Sequence, residues 1–164
     1  MMRRFAAVAI GGWMLAVAGC SPSAPTVDPA EAERGHAAFE RRDFEAAYSI
    51  LAPIAQHGDA DAQFKVGYMY LHGRGVDRDF DSALRWLTLA ADQGHAEAQY
   101  NLALNYEGGR GVAQDVVEAH KWASLAASQG YRAAGELRDD TAARMTEDEM
   151  RQARKRISEW RVRR

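Results

Sequence analysis

The side chains able to do chemistry are few and scattered. Five histidines occur, His36, His57, His72, His95 and His120. No two of them stand at the i, i+4 spacing that sets two imidazoles on one helix face for a metal, and no His-Glu-x-x-His run is present. Asp139 and Asp140 are adjacent carboxylates. Neighbouring helix positions point different ways, so this pair reads as a solvated face rather than an acid–base couple. Two glycine loops, Gly73-Arg74-Gly75-Val76 and Gly109-Arg110-Gly111-Val112, are small enough to let backbone amides approach a phosphate. Neither carries the Gly-Lys-Ser/Thr of a phosphate loop, so both read as turns. The single thiol, Cys20, excludes an internal disulfide framework and a cysteine-ligated zinc site. These residues point to no cofactor, no metal and no catalytic set, so binding is the expected activity.

The 164 residues suit one domain, and an apolar fraction of 47% with 27% charged residues is enough for a core. Lys plus Arg number 21 and Asp plus Glu 23, a net charge of −2 that gives no support to nucleic acid as a partner. The charge is uneven. Residues 151–164 carry a net +6 and Arg3 with Arg4 a further +2, which leaves −10 for residues 20–150. The basic end reads as a solvated helix terminus, with contact to acidic wall polymers as the alternative.

Met1-Met2-Arg3-Arg4 is a basic start, and Phe5 to Val17 is an uncharged apolar run. About 13 helical residues rise only ~20 Å, short of a ~30 Å hydrocarbon core, which fits the h-region of a secretory signal better than a membrane span. The run ends Val17-Ala18-Gly19-Cys20, which resembles the lipobox of bacterial lipoproteins. That resemblance implies cleavage after residue 19 and acylation of Cys20, with the chain held on a membrane of the bacterial envelope facing the periplasm. Ser21 rather than Asp after the cysteine favours the outer membrane over the inner. Residues 20–28, with Pro22 and Pro25 among small polar residues, read as an extended tether.

The body repeats itself at 36 residues. Asp43-Phe44 recurs as Asp79-Phe80, Ala47 as Ala83, Leu51 as Leu87, Gly58 as Gly94, and Ala62-Gln63 as Ala98-Gln99. The same shift takes one glycine loop onto the other and Trp86 onto Trp122. A fixed period of this size means stacked supersecondary units. Ala62, Val66 and Tyr70 form one helical stripe, and Ala83, Trp86, Leu87, Ala90 and Ala91 form another, with the glycine loop between. Thr146 with Glu149 is a capping box that opens a last helix, with Met150, Ile157 and Trp160 as inward anchors and Arg154, Lys155 and Arg156 outward. The expected fold is all-α, a right-handed α-solenoid of hairpins with about eight helices.

The Gly-Arg-Gly-Val loop, the aspartate after it, the Ala-Trp pairing and the Ala-Ala-x-Gln-Gly ending resemble Sel1-like repeats, relatives of the tetratricopeptide repeat. Copies fit at 60–95 and 96–131. Residues 29–59 form a hairpin with a loop four residues shorter, closer to a tetratricopeptide unit, and 132–164 reads as capping helices with the basic tail. The resemblance implies a protein-interaction adaptor with a groove along the first helix of each hairpin, here Ala32, His36, Phe39, Phe64, Tyr68, Tyr100, Leu104 and Glu107. The alternative is that Phe64, Tyr68 and Tyr100 pack between repeats. The partner implied is a protein or peptide, with non-catalytic peptidoglycan binding as another possibility. A cell-wall-directed enzyme is the competing reading, since some secreted Sel1-like proteins are linked with β-lactam hydrolysis. Those are cysteine-rich, and this chain has one cysteine.

Overall fold

A computed structural model describes residues 28–161. The leader 1–19, Cys20, most of the tether and the last three residues lie outside the described residues. Eight α-helices and no strand make up the rest: α1 (Pro29–Glu40), α2 (Phe44–Gln56), α3 (Ala60–His72), α4 (Phe80–Asp92), α5 (Ala96–Gly108), α6 (Val116–Ser128), α7 (Arg132–Arg144) and α8 (Glu147–Glu159). None of them is long and apolar enough to cross a membrane. Each packs on the next in the chain through α7. In addition α1 meets α3 and α5 meets α7, so the odd-numbered helices form one row, with α2, α4 and α6 behind them.

Helix starts are written by the period. Asp43, Asp79 and Asp115 cap α2, α4 and α6 with their carboxylates, each worth about 1 kcal/mol over alanine. The interior is set by small residues. Ala47, Ala83 and Ala119, and likewise Ala62, Ala98 and Ala134, are fully buried. Gly35 and Gly67 let the two helices of their hairpins approach: a Cβ on Gly67 would sit 3.0 Å from Leu87 Cγ, and one on Gly35 2.6 Å from Leu51 Cδ2. One period on, the pair becomes Ala103 and Ala123, a methyl gained on one helix where a leucine is lost on the other.

A ladder of glutamines ties successive units. Buried Gln63 donates to Ala55 O at 3.1 Å, and buried Gln99 to Ala91 O at 3.1 Å. Gln93 donates to Gln63 Oε1 and Gln129 to Gln99 Oε1, both at 2.8 Å. Each buried amide thus answers a helix-end carbonyl of the preceding unit on one side and a side chain at the end of its own unit on the other.

The loops differ as the spacing predicts. Three residues, 41–43, join α1 to α2, whereas seven join α3 to α4 and α5 to α6. Gly73 and Gly109 end their helices at φ +63°, a conformation that costs glycine little. At the far end the Thr146–Glu149 capping box starts α8, which lies on α6. Two core clusters form, a first around Leu51, Ile54, Val66 and Met69 and a second around Leu87, Leu102 and Trp122, and Ile157 and Trp160 pack on the second. Arg156 departs from the outward position expected of it. It turns onto α6, where it donates to Glu118 Oε1 at 2.8 Å and Asp115 Oδ2 at 3.4 Å.

Candidate functional site

The row of α1, α3, α5 and α7 carries a line of aromatic residues, joined by Phe44 at the start of α2. Phe39 and Phe44 meet edge to face at 5.5 Å, Phe39 meets Tyr68 at 5.5 Å, and Phe64 lies 6.4 Å from Tyr68. Phe64 stacks on His95 at 4.6 Å, and Tyr100 leans on Tyr131 at 5.0 Å. Between them opens a cavity of about 350 Å³ lined by Phe39, Glu40, Phe64, Lys65, Tyr68, Glu97, Asn101 and Tyr131. Its walls come from three helices and from the residue that opens α7. Aromatic walls with a few polar groups at the rim suit a side chain of a bound segment: rings supply area with little rotamer entropy to lose.

Lys65 is held rather than free. Its ammonium, which can only donate, reaches His36 Nδ1 at 2.9 Å and lies 3.6 Å from Glu40 and 5.3 Å from the Phe39 ring centre. His95 does three things at once. Its Nδ1 accepts from Ala98 N at 3.2 Å and caps α5, its Nε2 donates to Asp61 at 2.9 Å, and its ring covers Phe64. The cap requires an unprotonated Nδ1. At the mouth, burial and the nearby Glu97 carboxylate push the Tyr131 phenol upward, so it stays a neutral donor.

The structure brings together three of the eight predicted groove residues, Phe39, Phe64 and Tyr68. Phe64 is 8% exposed and belongs to the core while presenting an edge to the cavity. Tyr100 and Leu104 are half-buried and lie off the cavity, because α7 draws Tyr100 against Tyr131. Ala32 packs on the first core cluster, and His36 is engaged by Lys65. Glu107 is taken by the cap: Arg144 of α7 pairs with it at 3.2 Å.

Sequence reasoning missed Glu40, Lys65, Glu97, Asn101 and Tyr131. A signal was present for three of them. Asn101 is Lys65 moved by one period, and Tyr131 repeats His95, which repeats Asp59 at a helix start. Of the tail's basic groups, Arg151 pairs with Asp148, Lys155 lies 3.9 Å from Glu159, and Arg156 faces α6. That leaves less free positive charge there than composition suggests. Among the described residues no three His, Cys, Asp or Glu side chains gather as metal ligands.

A stack of helical hairpins with a lined row of first helices is the α-solenoid architecture of repeat-built interaction proteins. Residues 60–95 and 96–131 each match the Sel1 repeat family. The chain carries two Sel1 repeats, and Sel1 repeat proteins generally act as protein–protein interaction modules. Among solved structures it resembles a protective antigen of uropathogenic Escherichia coli strains that displays an SLR fold, at 30% identity and a TM-score of 0.75 over 80% of this chain and 29% of that one. It also resembles a Sel1 repeat protein from Oxalobacter formigenes, at 36% identity and a TM-score of 0.62 over 65% of this chain and 43% of that one. The chain therefore spans less than half the length of either. No curated protein matches it.

Proposed function

We propose that this chain is an adaptor of the bacterial envelope, anchored through an acylated Cys20 on the periplasmic side, with the outer membrane favoured. It works by binding, without catalysis. A segment of a partner protein runs along the row of first helices and places one side chain between Phe39, Phe64, Tyr68 and Tyr131. The observation that carries this reading is the cavity itself, built from rings of three successive units on rigid helices and rimmed by Glu40, Glu97 and Asn101. Helices fixed before binding lose little entropy when the segment arrives.

Site-specific photo-crosslinking in intact cells tests it. A photoreactive residue at position 68 is expected to give a discrete adduct that Tyr131→Ser removes. The same residue at position 89, where Leu89 is 44% exposed on α4, is expected to give none. Equal adducts from both positions would remove the groove. The anchor is tested separately by Cys20→Ser, which is expected to move the protein from the membrane to the soluble fraction.

A further inference from the structure

The seating of the glycine loops follows the period, and the period continues where the loops do not. Gly75 presses on the start of α2: a Cβ there would lie 2.5 Å from Phe44 C and 2.6 Å from Phe44 O. Gly111 presses on the start of α4, where a Cβ would lie 2.7 Å from Phe80 Cβ. One period beyond Phe80 is Val116, at the start of α6, and one period beyond Gly111 is Glu147. Glu147 is the first residue of α8, not a loop glycine. Because α7 passes into α8 through Met145 and Thr146 alone, no third loop reaches α6. A cavity of about 740 Å³ stands in its place, lined among others by Tyr106, Val112, Asp115, Val116, Arg144 and Glu149.

We infer that this cavity is a second interaction surface, a vacant loop seat that takes a glycine turn of basic–Gly–aliphatic type from a partner protein. The two filled seats supply the template. In each, an arginine precedes the seating glycine and a valine follows it: Arg74-Gly75-Val76 and Arg110-Gly111-Val112. Val76 packs on the first core cluster, and Arg74 lines a cavity beside Phe44. In the vacant seat the residue at the helix start is valine where the filled seats have phenylalanine, so there is more room. The polar lining favours a cation. The lining sets Asp115 and Glu149 against one cation, Arg144, which Glu107 and Asp140 already hold, while Glu149 also accepts from Thr146 N in the capping box. Asp115 also meets Arg156 at 3.4 Å and keeps its place as the cap of α6. A second copy of this chain does not supply the turn, because both of its glycine loops are seated on their own helices.

Titration of the full chain in detergent micelles with an acetylated, amidated peptide of residues 72–77, followed by backbone amide NMR, tests the inference. Millimolar binding is expected, with shifts confined to residues 106, 112–117, 144 and 149. The same peptide carrying Gly75→Ala is expected to bind at least about ten-fold more weakly, since a methyl meets the helix start. Val116→Arg in the chain is expected to abolish the response with the melting temperature retained. Ala113→Arg, on the exposed rim, does the same if Val116→Arg fails to fold. Scattered shifts, equal affinity for the alanine peptide, or undiminished binding to both arginine variants would overturn the inference. So would a dimer in sedimentation that Ala113→Arg dissociates, because the seat would then belong to a second copy.

Discussion

Inside the stack residues repeat or trade volume in facing pairs, as Gly67 and Leu87 do with Ala103 and Ala123, and on the cavity face of the same helices they do neither. Ala62 and Ala98 are both fully buried, and Gln63 and Gln99 make the same bond to a helix-end carbonyl. One residue further on, Phe64 becomes Tyr100; Lys65 becomes Asn101 and Tyr68 becomes Leu104. Interior positions are fixed by volume and by the need to satisfy each buried polar group. Positions on the outer face of the row, the core-packed Phe64 apart, are freer of both demands and vary with what they touch. The comparison separates the residues that hold the stack from those that choose its partner.

Gly75→Ala tests the interior side most severely. The new methyl meets the Phe44 backbone and the residue keeps φ +69°, so a loss of about 3 kcal/mol or more is expected in chemical denaturation. Gly58→Ala is its control. Gly58 has φ +97° but nothing within 4 Å of a Cβ, and about 1 kcal/mol is expected. Equal losses would mean that backbone conformation alone, and not the seating, explains the glycine.

Gln99→Leu comes next. It removes the Gln99 bond to Ala91 O, which Gly94 N still reaches at 2.9 Å, and leaves the exposed Gln129 amide to water, at about 1 kcal/mol. A pH effect follows from His120, whose ring is buried against α7 with Nδ1 3.2 Å from Arg138 O and 3.1 Å from Thr141 Oγ1. Burial is the main cause holding its pKa below 6.5. The unfolded chain therefore takes up this proton first, and stability falls as the pH drops below about 6.5 toward the folded value. Melting temperatures from pH 7.5 to 5 should show that slope, and His120→Gln should flatten it. The smallest expected change is Tyr68→Leu, which copies Leu104: stability within about 0.5 kcal/mol, with loss of the crosslinked partner. A cost as large as that of Gln99→Leu would place Tyr68 with the core and undo the separation.

The hairpins, the aspartate caps, the Thr146–Glu149 box and the shorter first loop could all be read from spacing, because each is a local pattern repeated at one distance. The cavity could be read only in part. Phe39, Phe64 and Tyr68 followed from the repeat alignment, but Tyr131 reaches the site from a third helical unit, and Glu107 is claimed by Arg144 from 37 residues away. A side chain's rotation about its helix follows from sequence; which neighbour arrives to engage it depends on how the units stack. The glycine loops show the same limit. The turn is evident in their composition, but their contact with the preceding unit appears only once the helix start beneath Gly75 is in place.

The glutamine ladder has a consequence for how the molecule comes apart. The bonds from Gln63 to Ala55 O and from Gln99 to Ala91 O each span a boundary between units, so a hairpin that melts takes away the partner of a buried amide in the unit after it. Such nearest-neighbour coupling turns a modular array into a cooperative one. In hydrogen exchange the amides of α3 to α6 should open together and last, while α1 and α8, flanked by a neighbour on one side only, fray first.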